Sequence, residues 1–211
     1  MTHAPNSLAA RDLAYSLHPY TNLAVHQERG PIVITRGEGI YVYDDQDNQY
    51  IEGLAGLWCT GLGFSESRLF KAAQTQFEQL PFSHSFAHRA TVPVIELSEK
   101  MVEIAPGDLS KVYLVNSGSE AVDTAIKMVW YYHNAIGKPE KKKIISRKRA
   151  YHGVTIASAS LTGLPSLHTA FNLPLPMIRH TETPHYWRNA EPGMSELDFS
   201  KWCAQKLEEM I

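Results

Sequence analysis

Apolar and polar residues alternate along residues 31–53, "PIVITRGEGIYVYDDQDNQYIEG", on both sides of Asp47 and Asn48. A period of two is typical of strands with one buried face, and an Asp-Asn pair suits the tight turn of a hairpin. We therefore expect small antiparallel strands near the start of the chain.

Helical spacing replaces this alternation in the next two segments. Apolar side chains recur at every third or fourth position of "SRLFKAAQTQFEQL", residues 67–80, and "TVPVIELSEKMVEIAP" repeats that spacing after the cap candidate Thr91. Such spacing predicts an amphipathic helix in each segment. We expect each helix to bury one face.

Strand-like and helical patterns then alternate along residues 111–163. The order is the apolar run "KVYLVN", the turn "SGSE", a helix ending at Gly137, the strand "KKIISRK", the turn "RAYHG", and a short helix towards Gly163. This β-α-β-α series predicts an α/β fold, with a mostly parallel sheet and helices on both faces. Ligands of such sheets bind outside the carboxyl ends of the strands. We therefore expect the serine turn (residues 117–120) and the tyrosine turn (residues 149–153) to share one edge of the sheet.

Composition narrows the class of partner. The 211 residues are 44% hydrophobic, which indicates a globular chain with a core, and the formal net charge is -2. A balanced charge gives no reason to expect nucleic acid or an anionic membrane as partner, so a small-molecule substrate is favoured. No apolar run approaches the roughly 18 residues of a membrane span.

The first twenty residues lack the pattern of a signal peptide, and the two cysteines, Cys59 and Cys203, lie far apart. Both features together favour the cytoplasm.

The serine turn contains residue types that suit an anion. Gly118 allows close approach of the backbone, Ser119 offers a hydroxyl and an N–H, and the start of a helix supplies unpaired N–H donors. The alternative is that Ser117 or Ser119 only caps the helix, and spacing alone leaves these two interpretations equally open. The turn lacks the Gly-Lys-Ser/Thr of a nucleoside-triphosphate loop and the three glycines of a dinucleotide fingerprint, so a smaller phosphate ester is favoured.

The tyrosine turn places an aromatic residue beside the serine turn. Tyr151 could stack on a planar heterocycle that carries the phosphate, with His152 next to it. Taken singly, Tyr151 would more often be a half-buried loop anchor and His152 a hydrogen-bonded structural histidine. A phosphate together with a flat ring suggests pyridoxal 5'-phosphate (PLP).

Several ordered motifs then carry a family resemblance. "VNSGSEAVDTAIK", "RKRAYHGVT" followed by "ASLTG", and the earlier "GLAGLWCTGLGF" resemble the class III family of PLP-dependent aminotransferases, in particular its amine/β-alanine–pyruvate, or ω-transaminase, branch. The resemblance extends from about His18 to the end of the chain. It implies an incomplete fold-type I PLP-dependent transferase. Residues 1–52 would form part of the small domain, and residues 53–211 the first part of a truncated large PLP-binding domain.

The resemblance also implies roles for matched positions. The Gly118 amide and Ser119 would hold the cofactor phosphate, and Tyr151 would stack on the pyridine ring with His152 beside it. Three further aromatic residues would shape the substrate pocket: Tyr20 and Trp58 would wall it, and Phe86 would reach it from the neighbouring subunit of a homodimer. Without the resemblance, Trp58 and Phe86 would be interpreted as core aromatics.

The expected reaction is transfer of an amino group from an ω-amino acid or amine to pyruvate or a similar keto acid. The Schiff-base lysine of the family matches no position here, so we assign no catalytic residue and expect the 211 residues to be inactive alone. The final helix pattern begins at Ser195 and looks cut rather than finished.

A short non-catalytic protein that binds PLP or a partner is the alternative. A metal pair of His84 and His88 is the least favoured hypothesis, because no acidic or cysteine ligand lies close to it in sequence.

Overall fold

The computed structural model describes residues 4–211. Contacts divide the chain into two compact units, with the boundary between Ile95 and Glu96. The predicted division into residues 1–52 and 53–211 concerns the domains of a longer protein and stays a prediction.

The first unit combines short helices with a three-stranded antiparallel sheet in the order β1-β2-β3. Its elements are α1 (Leu8–Tyr15), α2 (Leu23–Arg29), β1 (Ile34–Glu38), β2 (Tyr41–Asp44), β3 (Gln49–Ile51), the helical turn α3 (Ala55–Trp58) and α4 (Ser67–Gln79). Helix α5 (Val92–Ile104) begins in this unit and continues into the second. The antiparallel strands predicted from the alternating pattern are confirmed.

Asp44 organises the turn between β2 and β3. Its carboxylate accepts hydrogen bonds from the Asn48 backbone and side-chain amides, the Gln46 N–H and the Tyr50 hydroxyl, all at 2.8–2.9 Å. These donors, with the Asn48 side chain contributing most, lower the pKa of Asp44 to about 2. The turn therefore depends on an ionised carboxylate.

Helices α4 and α5 form where the spacing predicts them, but the expectation of a buried face is wrong. Neither helix contains a buried residue, and Phe70 of α4 is 70% exposed. The spacing of the apolar residues indicates a helix face suited to burial, but burial itself requires another element to pack on that face. In the described part of the chain, neither α4 nor α5 makes an extensive contact with another element.

The second unit is built around a parallel strand pair. Its elements are α6 (Gly118–Ala135), β4 (Ile144–Arg147), α7 (Ile156–Leu161), two 3-10 turns (Pro165–Leu167 and Thr169–Phe171), β5 (Ile178–Thr181), α8 (Tyr186–Asn189) and α9 (Glu196–Glu208). Strand β4 pairs with β5 in parallel, from Ile144 opposite Ile178 to Arg147 opposite Thr181. Ile126 of α6, Leu161 of α7 and Ile178 of β5 form its buried apolar core.

Two details of the predicted α/β series need correction. The apolar run at residues 111–116 is not a strand, because a strand needs a neighbour to share ladder hydrogen bonds, and no described residue provides one. Strand β5 was not predicted, because Pro174 and Pro176 precede its four residues and interrupt the pattern. The parallel pairing itself agrees with the predicted α/β class.

Large apolar side chains remain exposed in both units. The accessible surface is 16735 Å² for a chain of 23.7 kDa, whereas two separate compact domains of about these sizes would expose roughly 12,000 Å². Exposed large apolar side chains in such number are typical of faces that pack against further protein. Within residues 4–211, no helix combines the length and apolar character needed to cross a bilayer.

Candidate functional site

Helix α6 begins in the serine turn, and Ser117 is its N-cap. The Ser117 hydroxyl accepts a hydrogen bond from the Glu120 N–H at 3.2 Å, and its carbonyl accepts one from the Ala121 N–H at 3.0 Å. The capping role that the sequence left open between two serines therefore belongs to Ser117. Ser119 is free for a different role.

Two backbone donors at the start of α6 lack partners. Among residues 4–211, no acceptor receives the N–H of Gly118 or that of Ser119. The space beside Gly118 is open, since an added Cβ there would meet no atom within 4 Å. Unpaired N–H groups and the partial positive charge of an 18-residue helix make this end of α6 suitable for an anion.

The Ser119 hydroxyl joins the serine turn to the tyrosine turn. Its oxygen accepts a hydrogen bond from the Val154 N–H at 3.0 Å, and its proton has no acceptor in the described part of the chain. Gly153, the last residue of the tyrosine turn, has φ +125, and an added Cβ would lie 2.4 Å from the Ser119 Oγ and 2.6 Å from the Ser158 Oγ. Only glycine permits this approach. The two turns thus lie together, although not at a shared edge of the sheet as predicted, because no strand precedes the serine turn in the described residues.

Backbone hydrogen bonds hold the tyrosine turn in place. The fully buried Thr162 hydroxyl accepts a hydrogen bond from the His152 N–H at 2.9 Å. Gly163 donates its N–H to the Ala150 carbonyl and accepts from the Arg149 N–H, both at 2.8 Å. These bonds fix the backbone on either side of Tyr151, and a fixed backbone orients the side chain that it carries.

Asp123 connects α6 to α7 by a hydrogen bond, a contact that was not predicted from the sequence. Its Oδ1 accepts a hydrogen bond from the N–H of the fully buried Ser158 at 3.0 Å. The Ser158 hydroxyl also accepts from the Thr155 N–H at 3.1 Å, which completes a capping box at the start of α7. The sequence feature that could have predicted this contact is the position of Asp123 four residues after Ser119, on the same face of the helix.

Tyr151 keeps much of its side chain in solvent, with 53% exposed, and its ring contacts no other aromatic ring among the described residues. His152 lies near His180 of β5, which in turn lies 5.6 Å from His168 between ring centroids. Burial lowers the pKa of His180, and the neighbouring histidines lower it further, although hydrogen bonds from its ring to backbone carbonyls act in the opposite direction. This histidine group beside the tyrosine turn was not predicted.

The three aromatic residues assigned to the substrate pocket lie in the first unit and are exposed. Exposed fractions are 72% for Tyr20, 76% for Trp58 and 79% for Phe86, so none is a core aromatic within the described residues. Trp58 ends the turn α3, whose four residues have left-handed φ values of 50, 60, 57 and 68. Left-handed helical geometry costs roughly 1–2 kcal/mol for each non-glycine residue. Trp58 is therefore presented on a strained turn.

His84, one of the two histidines considered as a metal site, lies against nearby N–H groups instead. The Nδ1 atom of His84 accepts from the Phe86 N–H at 3.2 Å, and its Nε2 atom lies 3.3 Å from the Arg89 guanidinium. Both ring nitrogens of His84 thus face N–H groups. A metal ligand needs a free lone pair, which His84 does not offer in this arrangement.

Comparison with known proteins decides the family. The family model described as "Aminotransferase class-III" matches residues 23–211. The chain belongs to the class III aminotransferase family. This family consists of PLP-dependent transaminases.

Relatives of this class III chain include proteins named as transaminases and solved transaminase structures. It is 50% identical over 196 residues to "Gamma-aminobutyrate transaminase 1, mitochondrial" of Oryza sativa subsp. japonica, covering 92% of this chain and 38% of that protein. The omega transaminase of Pseudomonas jessenii in complex with PMP is 57% identical with a TM-score of 0.95, covering 97% of this chain and 45% of that one. An engineered tryptophan-to-glycine variant of a thermostable omega transaminase has the same identity and TM-score, with 97% and 46% covered. The chain thus spans less than half the length of these relatives.

Proposed function

We propose that this chain carries the phosphate-binding part of a class III transaminase. The observation that carries the proposal is the set of three unsatisfied donors at the start of α6: the amides of Gly118 and Ser119 and the Ser119 hydroxyl. A phosphate monoester offers acceptor oxygens and negative charge, and these donors complement both. PLP, when bound, supplies the electron sink that transamination requires.

Tyr151 supplies the face for the cofactor ring in this proposal. Its ring is half exposed, and hydrogen bonds fix the backbone at the neighbouring positions 150 and 152. A planar heterocycle stacked on such a ring gains contact without reorganising the backbone. His152, on the same turn, lies beside the ring.

The substrates in this proposal are an ω-amino acid or amine and pyruvate or a similar keto acid. Tyr20 and Trp58 wall the substrate pocket, and Phe86 enters it from the neighbouring subunit of a homodimer. The strained backbone of Trp58 supports a functional role, because strain of this kind concentrates at ligand sites. The tryptophan-to-glycine variant of the relative was engineered for synthesis of bulky amines, which supports a tryptophan as a pocket wall.

We also propose that residues 1–211 alone do not transaminate, because the lysines described near the two turns have other partners. Lys148 is the lysine nearest the carboxyl end of β4, and it forms an ion pair with Glu182. Lys142 donates to the Asn134 side chain, and Lys143 donates to backbone carbonyls near the end of α9. In the part of the chain that the structure describes, no lysine nitrogen hydrogen-bonds to either turn.

Reductive trapping tests this assignment. Residues 1–211 are mixed with PLP and reduced with borohydride, any pyridoxyl-lysine is mapped by mass spectrometry, and an amine–pyruvate assay is run in parallel. We expect scattered, substoichiometric labelling without turnover. Stoichiometric labelling of one lysine with measurable turnover would overturn the proposal.

The cytoplasmic location predicted from the sequence stays part of this proposal. The rice relative is named as a mitochondrial protein, and that location is a property of the relative. Fluorescence microscopy of a tagged protein in its own cell, compared with compartment markers, would decide between the two.

A further inference from the structure

A carboxylate and two imidazoles converge in the first unit, and none of these three residues has a role assigned above. Asp12 lies on α1, His26 lies on α2, and His18 lies in the loop between these helices. The Nε2 atom of His18 lies 2.9 Å from both carboxylate oxygens of Asp12, and that of His26 lies 3.0 Å from Oδ2. One carboxylate therefore receives two imidazole nitrogens at once.

The spacing of these atoms is close to that of ligands around one metal ion. The three ligand atoms, one from each residue, all lie within 4.8 Å of one another. Ligands about 2.0–2.2 Å from a tetrahedral zinc ion lie roughly 3.3 Å apart, so an ion could enter with small side-chain movements. Two histidine nitrogens with one carboxylate are also a donor set that suits zinc and related transition metals rather than magnesium or calcium.

The surroundings leave room for a further ligand. The side chains of His18, Asp12 and His26 are 34%, 21% and 11% exposed, so the cluster is partly buried but open on one side. A surface groove of about 410 Å³ is lined by Asp12, Ser16 and His18, among others. Within the described residues, no lysine or arginine forms an ion pair with Asp12 that would compete with a cation. The cluster is therefore partly accessible to solvent.

We propose that Asp12, His18 and His26 bind one divalent transition-metal ion of the zinc type and thereby clamp α1 to α2. In this arrangement the Nε2–H groups of His18 and His26 donate to the Asp12 carboxylate. A bound ion would replace these two protons, and each neutral imidazole would then carry its proton on Nδ1. The site is independent of the proposed transaminase chemistry, since none of its three residues belongs to that assignment.

Zinc titration of the whole 211-residue chain tests the proposal. Calorimetry with ZnCl₂ should give one ion per chain, and Co²⁺ should give the visible absorption bands of a low-coordinate site. His26→Gln should bind zinc at least about 100-fold more weakly, because even residues that only support a ligand change metal affinity by about 10- to 100-fold. The matched controls His88→Gln and Cys59→Ser should bind as the unmodified chain does.

Asp12→Asn separates metal binding from a purely hydrogen-bonded role. Asparagine keeps an acceptor for the histidines but loses the negative charge, so the variant should fold and yet bind zinc poorly. Zinc should raise the unfolding temperature of the unmodified chain and leave that of Asp12→Asn unchanged. Equal zinc affinity in the unmodified chain and the His18→Gln/His26→Gln double variant would overturn the proposal, as would a titration without saturable binding of one ion.

Discussion

The turns around Ser119 and the aromatic residues assigned to the substrate pocket differ in how many contacts nearby residues make with them. Ser119, Gly153 and Thr162 have hydrogen-bond or packing partners within about fifty residues of sequence, and Thr162 is fully buried. Trp58 and Phe86 are more than three-quarters exposed. The geometry of the two turns is therefore encoded locally, whereas the aromatic residues assigned to the pocket have few contacts among the described residues.

The difference follows from the kind of interaction that builds each region. Small hydroxyl side chains form short directional hydrogen bonds with nearby backbone, as Ser160 does by donating to the Ile156 carbonyl at 2.7 Å and accepting from the Leu175 N–H at 3.1 Å. Such bonds require few residues. Large aromatic side chains instead gain stability from area removed from water, which requires another surface to cover them.

The largest expected effect comes from Gly153→Val, which should disrupt the turns without touching the aromatic residues. The new Cβ would overlap the Ser119 and Ser158 hydroxyls, and the φ of +125 disfavours any L side chain. We expect a loss of about 3 kcal/mol in the free energy of unfolding of the second unit, and loss of PLP binding. Denaturant titration and a PLP binding curve measure both.

Gly193→Ala is the matched control for Gly153→Val. Gly193 also has a positive φ, +83, but an added Cβ would meet no atom within 4 Å. The Gly193→Ala variant should therefore lose about 1 kcal/mol of unfolding free energy, from backbone strain alone, and should keep its PLP affinity. Equal losses in the two variants would show that close packing between the turns is not what Gly153 provides.

The next effect separates the two serines of the serine turn. Ser117→Ala removes the N-cap and Ser119→Ala removes the bond to Val154, so each should lower the free energy of unfolding by about 1 kcal/mol. Only Ser119→Ala should also weaken PLP binding, by about tenfold, because a hydrogen bond to a charged group contributes more than a neutral one. An equal change of PLP affinity in both variants would contradict the separate roles.

The sequence predicted the local parts of the second unit better than the packing of the first. The serine turn, the helix that follows it and the contact between the two turns were predicted, because glycine, serine and apolar spacing determine them over few residues. The sheet edge that the turns were expected to share was not found, because residues 111–116 form no strand with any described residue. Asp123 and His180 were missed because their roles depend on contacts with α7 and with other histidines, distant in sequence. Buried faces were predicted for α4 and α5 from spacing that cannot show whether a covering element is present.

A smaller effect compares one aromatic residue from each region. Tyr151→Ala should weaken PLP binding by roughly 2- to 12-fold, since aromatic pairing contributes about 0.5–1.5 kcal/mol beyond the buried area. Trp58→Ala should leave PLP affinity unchanged in residues 1–211, because Trp58 is assigned to substrate rather than cofactor. Unchanged affinity in Tyr151→Ala would remove Tyr151 from the proposed site.

The smallest effect is the response of stability to pH, which should differ between the units. Because the pKa of His180 is lowered in the folded chain, His180 takes up a proton at higher pH in the unfolded chain than in the folded one. The stability that His180 contributes is therefore present above about pH 6.5 and is lost as the pH falls below that value. The pKa of Asp44, lowered to about 2, gives a contribution that is present above pH 3.8 and lost only towards pH 2. Acidification should therefore weaken the second unit first.

His180→Gln tests the pH response. Between pH 7.5 and 5.5, the unmodified chain should lose more unfolding free energy than His180→Gln, and the exposed control His185→Gln should follow the unmodified chain. Identical pH profiles for His180→Gln and the unmodified chain would assign the response to other groups.

The most direct test of the account is the contribution of the phosphate group to binding. 4-Deoxypyridoxine 5'-phosphate has no aldehyde and cannot react with lysine, so its affinity can be compared by calorimetry with that of 4-deoxypyridoxine, which lacks the phosphate. We predict that residues 1–211 bind the phosphorylated compound at least about 100-fold more tightly and that Ser119→Ala reduces this ratio about tenfold, as expected for hydrogen bonds to a charged group. Equal affinity for the two compounds, or a ratio that Ser119→Ala leaves unchanged, would contradict the assignment of the serine turn as the phosphate site.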